Sequence, residues 1–241
     1  MTSDRVAFVA GATGYTGRAV VQLLTKSGLR CIAHVRPDSS RLDEWRARFG
    51  GAGAELCTAP WTGPEMGEAI RDLGVTEVYS LTGTTNKRAR SLGKAGGDAA
   101  SASHEAVDYG LTKHLVDASL AAGTAPFFVY LSSLGADADS RNSYLRARGR
   151  AEDAVAGSGL PFCAVRASFV TGPDRGESRP TERVGAVVTD GLLAVAAALG
   201  GKRLKARYGS VDAERLAAVL VSLPRDEAHR GRVVTLDEVL P

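Results

Sequence analysis

A chain of 241 residues, 44% hydrophobic and 24% charged, is long enough for one sizeable core, and the expectation is a single domain over residues 1–241. Lys and Arg number 30 against 27 Asp and Glu, so the formal charge is only +3 and the basic residues are scattered, which argues against a nucleic-acid surface. The three cysteines, Cys31, Cys57 and Cys163, lie far apart in apolar runs, which excludes a disulfide framework and predicts reduced, buried thiols.

MTSD leads directly into the apolar run RVAFVA, without the basic region, long hydrophobic stretch and cleavage site of a signal peptide. The longest apolar segment, Val184 to Leu199, contains Asp190 and falls short of the roughly 20 residues that span a bilayer. A cytoplasmic protein that does not insert into membranes is expected.

The first run is a buried strand. GATGYTGR, Gly11 to Arg18, follows it and opens a helix from about Tyr15 whose Ala19, Val20, Leu23 and Leu24 can pack on a sheet. In that context Gly11 permits a tight turn, Gly14 lets the backbone approach a diphosphate, and Gly17 allows close packing of the helix. The helix N-terminus supplies N–H donors for the anion. No Gly-Lys-Ser/Thr follows, which argues against a P-loop.

A second strand, CIAHV, ends at Arg36, where a protein specific for NAD would carry an acid for the ribose 2′-hydroxyl. A guanidinium there pairs with a 2′-phosphate, so NADP(H) is the expected cofactor, with Ser39 and Arg41 able to assist. The alternation then continues in chain order: a helix near Arg41 to Phe49, the strand AELCT, a helix near Glu65 to Leu73, the strand EVYSL, a helix near Glu105 to Ala122, the strand FFVYL, a helix near Tyr144 to Gly157, and the strand FCAVR. Buried strands alternating with helices predict an α/β fold, a doubly wound parallel sheet with ligands at the carboxyl ends of its strands. Two long connections, residues 86–104 and 168–205, would lie on that side as substrate-cleft loops, and the Ala/Val-rich helix from Val184 could pack on the sheet or on a second copy in a homodimer.

GATGYTGR, LTGTTNKRA, VDYGLTKHLVDAS, LSSLGADADS, YLRARGRAEDAV and VRASFVTGPDRGESRPTE, in this order, resemble the atypical NAD(P)H-binding branch of the short-chain dehydrogenase/reductase superfamily over most of the chain. The resemblance implies one Rossmann domain holding NADP(H). Its cofactor contacts would be Gly11, Thr13, Gly14, Tyr15, Thr16, Gly17, Arg36, Gly83, Thr84, Thr85 and Ser132, and its catalytic residues Ser133, Tyr144 and Arg148. A literal Tyr-x-x-x-Lys at Tyr109 to Lys113 precedes the serine strand, whereas the family's tyrosine follows it, so this pair reads as an ordinary helix face.

Tyr144 would protonate the alkoxide that forms as hydride reaches a carbonyl carbon, and Ser133 would steady it. Where the family carries lysine stands Arg148, which keeps the charge and could reach the nicotinamide ribose but cannot give up its proton. Asp108 stands where related branches often carry asparagine. Arg175, Glu177, Ser178, Arg179 and Glu182 fall in a segment that the resemblance places by the substrate cleft, either touching substrate or bracing the cleft wall. Trp61 either borders the adenine or simply packs. His34, His104, His114 and His229 have no metal-ligand spacing, so no metal is expected. The leading expectation is an NADP(H)-dependent oxidoreductase of a small carbonyl or enone-like substrate. The alternatives are an NADPH-binding regulatory or sensor protein, and an isomerase or epimerase that uses the cofactor transiently.

Overall fold

Strand formation here follows from burial on both faces. All five residues of β1 (Val6–Ala10) are buried, as are the four of β4 (Glu77–Ser80), and strands buried along their whole length suit a parallel sheet covered on both sides. The computed structural model describes residues 5–84, 99–168, 170–171 and 211–240. These two strands pair with each other, Ala10 opposite Ser80, at the middle of a seven-stranded sheet.

β2 (Arg30–His34) and β3 (Glu55–Cys57) extend it on one side of β1; β5 (Phe127–Ser133), β6 (Phe162–Ala167) and β9 (Arg232–Thr235) extend it beyond β4, every pairing parallel. The spatial order β3-β2-β1-β4-β5-β6-β9 reverses direction between β1 and β4, and the crevice at such a switch point is where open α/β sheets bind ligands. A small second sheet joins β7 (Val170–Thr171) to β8 (Val211–Asp212).

On one face pack α1 (Tyr15–Lys26), α2 (Leu42–Gly51) and α6 (Ala213–Ser222), burying Val20, Leu24, Trp45, Phe49, Leu216 and Leu220 with alternate strand residues such as Val9 and Val129. The opposite face takes α3 (Glu65–Asp72), α4 (Leu111–Ala122) and α5 (Ser143–Ala156), whose Met66, Ile70, Leu115, Ala151 and Val155 meet Phe8, Phe128 and Tyr130. α7 (Leu236–Val239), opened by a capping box between Thr235 and Glu238, closes the chain against β9. Burial pushes the thiols of Cys31 and Cys163 up to about 12, so both stay protonated inside the core.

The strands and helices expected within the described residues form, with small shifts at their ends. One helix differs in kind: the segment expected as a single helix from Glu105 begins as a π-helical stretch, Glu105–Gly110, before the regular α4. The wider turn is anchored from inside, where the Thr112 hydroxyl donates to the Asp108 carbonyl and meets Ser80 Oγ at 3.2 Å. α6, β8, β9 and α7 had no counterpart in the sequence reading. Among the described residues no helix is long and apolar enough to cross a membrane.

Candidate functional site

The glycine turn lies where the carboxyl ends of β1 and β4 converge. Gly11 has φ +82°, and a Cβ there would fall 2.6 Å from the Leu81 carbonyl and 2.9 Å from the Thr82 amide, so neither the conformation nor the space accepts a side chain. A Cβ on Gly17 would stand 2.1 Å from the Gly11 carbonyl oxygen, so helix and turn touch through backbone alone. Arg18 Nη1 donates to the Thr13 carbonyl at 3.1 Å and holds the turn closed. Gly14, exposed and extended just ahead of α1, provides no capping side chain, and the amides of Thr16 and Gly17 have no acceptor within their own helix. That is the arrangement a diphosphate needs.

Replacing Gly17 with alanine must push this backbone apart. The expected result is a less stable chain that binds NADPH at least about tenfold more weakly, read by thermal unfolding and by cofactor fluorescence titration.

Arg36 follows β2 with its side chain 48% exposed, and its ion pair among the described residues, 3.4 Å to the still more open Asp38, binds it only loosely. Arg41, by contrast, is committed to α2: it pairs with Glu44 and lies over the Trp45 ring, 4.9 Å from its centroid. Trp61 is half-buried and meets the His34 ring edge-on at 4.9 Å, and His34 Nε2 lies 2.8 Å from the Ala59 carbonyl. Burial holds His34 below the usual imidazole range.

At the other rim, Asn142 caps α5 by accepting from the amides of Tyr144 and Leu145, at 2.9 and 3.2 Å, which fixes where Tyr144 enters the site. Tyr144, Arg148 and Glu152 are spaced by four residues and run down the face of α5 that meets β5. The loop after β5 crosses this helix at Gly149, where a Cβ would lie 2.3 Å from the backbone of Asp137 and Ala138.

The two serines separate. Ser132 is buried and donates to Glu152 Oε1 at 2.5 Å, and the Glu152 carboxylate also takes both arms of Arg166, at 2.9 and 2.6 Å. Ser133, on the opposite side of the strand, is only half-buried, and its contact to the Leu134 carbonyl is long at 3.4 Å. Ser132 thus knits β5 to α5, and Ser133 is the less engaged hydroxyl of the two.

Arg148 is 8% exposed. Its Nη1 donates to the Leu131 carbonyl at 2.7 Å and to Tyr130 Oη at 3.3 Å, its Nη2 donates to the Thr82 carbonyl at 3.2 Å, and the latter stands 2.7 Å from Asp108 Oδ1 as an ion pair rather than an aligned hydrogen bond. Burial opposes the charge, but the oxygens of Tyr130, Tyr144 and Asp108 outweigh it and hold the guanidinium above its ordinary value. The sequence reading has this arginine reaching toward a ribose; the structure surrounds it with protein oxygens and lays it 5.4 Å from the centroid of the Tyr144 ring. Gly83 makes room for it, since a Cβ there would come within 2.7 Å of Nη2.

His104, which sequence reasoning set aside, completes the corner. It is 8% exposed, its Nδ1 lies 2.9 Å from Asp108 Oδ2, and its ring meets that of Tyr144 edge-on at 5.2 Å. The available signal was a histidine four positions before an aspartate at a helix start. The Tyr109 and Lys113 pair lies elsewhere: Lys113 is salt-bridged to Asp117, and Arg150 covers the Tyr109 ring at 4.1 Å.

Four buried polar atoms at this corner, Thr82 Oγ1, Thr84 Oγ1, Asp108 Oδ1 and Arg148 Nε, have no hydrogen-bond partner among the described residues. Orphans gathered at one place suit a polar guest. With the uncapped helix start and the open Arg36, they are the groups that would hold a nicotinamide dinucleotide. Thr85, Arg175, Glu177, Ser178, Arg179, Glu182, the Val184 helix and most of both expected cleft loops lie outside the described residues.

Comparison with known proteins agrees with this geometry. Residues 11–226 match the model of a family described as NAD(P)H-binding. Over 151 residues the chain is 30% identical to Protein FMP52, mitochondrial, of Debaryomyces hansenii, a match spanning 62% of this chain and 59% of that relative. Solved structures share the fold: an NAD-dependent epimerase/dehydratase-type protein from Bacillus halodurans (TM-score 0.61, 17% identity, covering 96% of this chain and 92% of that one) and a nucleoside-diphosphate-sugar epimerase from Pseudomonas aeruginosa (TM-score 0.63, 18% identity, 96% and 71%). UDP-N-acetylglucosamine 4-epimerase from Bacillus cereus aligns with a TM-score of 0.61 at 17% identity, over 96% of this chain and 78% of its own. A glycine cradle at the β1/β4 switch point, an all-parallel sheet and a family match over most of the sequence have one meaning: the chain belongs to the NAD(P)H-binding family, as an atypical member of the short-chain dehydrogenase/reductase superfamily.

Proposed function

We propose that the chain is an NADP(H)-dependent oxidoreductase that reduces a small carbonyl or enone-type substrate, with Tyr144 as proton donor and Ser133 as the hydroxyl that steadies the developing alkoxide. The observation that carries this reading is the setting of Tyr144. It is half-buried at the mouth of α5, capped into position by Asn142, and flanked by a buried cation and a histidine at the carboxyl edge of the sheet. When bound, the reduced cofactor supplies the hydride. The chain's own part is to hold substrate against Ser133 and Tyr144, exclude water, and deliver a proton to the alkoxide oxygen.

Preference for the phosphorylated cofactor rests on Arg36. An exposed guanidinium loosely held by Asp38 can turn to a 2′-phosphate, and a charge-assisted bond of that kind contributes about 1.5–3 kcal/mol. Arg36→Ala is therefore expected to weaken NADPH about 10- to 100-fold and leave NADH nearly unchanged, as measured by fluorescence titration of both. Tighter NADH than NADPH binding by the unaltered chain would defeat this assignment.

The enclosure of Arg148 favours one second reading. A cation spent on protein oxygens is less able to hold the ribose, as expected of a chain that binds NADPH as a sensor and turns it over slowly or not at all. The epimerases among the structural relatives share the fold at 17–18% identity, and an isomerase that uses the cofactor transiently stays behind both. Following NADPH consumption across aldehydes, ketones and quinones decides between the first two. Consumption of any of them supports the reductase; tight NADPH binding with none consumed supports the sensor.

A further inference from the structure

We propose that His104, held by Asp108, returns the proton to Tyr144 after each turnover, the task for which Arg148 is chemically unfit. The inference rests on the reductase reading above. Once Tyr144 has given its hydroxyl proton to an alkoxide it is a phenolate and must be reprotonated before the next cycle. Arginine does not release a proton in proteins, and Arg148 is further tied to Leu131, Thr82, Tyr130 and Asp108. It can stabilise the phenolate from 5.4 Å across the ring face but cannot restore the proton.

His104 has the features a carrier needs. Its Nδ1–H donates to Asp108 Oδ2 at 2.9 Å, which fixes the tautomer and leaves Nε2 as the exchanging nitrogen. No described residue hydrogen-bonds Nε2, which is not among the buried unpartnered atoms. The ring meets that of Tyr144 edge-on with centroids 5.2 Å apart, and the proposed transfer runs between them directly or through one water. The residue is buried but keeps 8% of its surface, so one edge meets solvent and can be recharged there.

Asp108 is the hub. One oxygen orients His104 and the other is paired with Arg148, so its position is set from two sides. The π-helical stretch Glu105–Gly110 brings His104 and Asp108 to the sheet end together. The remaining charged neighbours, Glu105 and Arg150, pair with each other on the exposed side. The step balances: imidazolium Nε2–H passes its proton to the Tyr144 phenolate oxygen, leaving neutral imidazole and a phenol, and Nε2 then takes up one proton from solvent, the proton that each carbonyl reduction consumes. His104 thus acts through Tyr144 and not on the substrate.

The test begins without cofactor. Nitrogen-15 NMR of the histidines, with His104 assigned by the signal missing in His104→Gln, should show the neutral ring protonated on Nδ1; a neutral ring carrying its proton on Nε2 overturns the proposal. With NADPH and a reduced substrate, His104→Gln, whose amide still donates to Asp108, should lower kcat on the order of 10- to 100-fold with KM and NADPH affinity little changed. In His104→Ala, added imidazole should recover part of the lost kcat, and should recover none in Tyr144→Phe. Equal kcat in wild type and His104→Gln, or no rescue of a His104→Ala chain that binds NADPH normally, overturns the role of His104 and leaves the reductase standing. No turnover by wild type on any substrate removes the reductase and this proposal with it.

Discussion

Tyr144→Phe is expected to lose at least about 100-fold in kcat for carbonyl reduction while binding NADPH as before, since general-acid catalysis contributes about 10²- to 10⁴-fold. The substitution removes one oxygen and nothing else. A phenyl ring keeps the edge contact with His104 and the face beneath Arg148, and Asn142 still caps the helix through backbone amides. Stability should therefore move by less than about 0.5 kcal/mol. A loss of kcat with unchanged cofactor affinity and melting temperature assigns Tyr144 to the chemical step; full activity in the phenylalanine variant sinks its assignment as proton donor.

Arg148→Ala should give the largest loss of stability. The side chain joins three parts of the fold, the ends of β4 and β5 through the carbonyls of Thr82 and Leu131 and the π-helical stretch through Asp108. Its removal leaves the Asp108 carboxylate, which has no exposed surface, facing His104 alone. Breaking a buried ion pair from one side costs about 3–5 kcal/mol. For a chain of this size that corresponds to a fall in melting temperature of about 10 °C.

Arg148→Lys tests whether charge or shape carries the effect. An ammonium is a point charge on a single stem and cannot serve the carbonyls of Leu131 and Thr82 and the Asp108 carboxylate together. Lysine should recover only part of the lost stability even though it restores the residue the family ordinarily carries. Thermal and urea unfolding of the two variants read this out, and a lysine variant as stable as wild type would show that charge alone matters.

The parts of the molecule legible in its sequence are those specified locally. The glycine turn could be read because strand, turn and helix follow within one short stretch, and Tyr144 because its helix comes after the serine strand. The destination of Arg148 could not: its acceptors Leu131 and Thr82 lie 17 and 66 positions away, and only the assembled sheet brings them together. Ser132 and Ser133 look equivalent as letters, yet strand alternation sends one to Glu152 and leaves the other half-buried on the opposite side of the strand. His104 escaped notice because the histidines were weighed as metal ligands, when its partner was a carboxylate on the same turn. β9 was missed because Arg232–Thr235 is a run of four residues, too short to show a period.

That last strand bears on how the molecule is made. β6 supplies Arg166 and Ala167 to the rim of the site, yet among the described residues its outer edge is paired by β9, which comes much later in the chain. During synthesis the edge of β6 therefore stays open until residue 235 has emerged, and an unpaired parallel strand is a template for sticking to other chains. Assembly of the crevice rim thus waits on a strand that is made long after β6, and until then the edge beside that rim stays open to other chains.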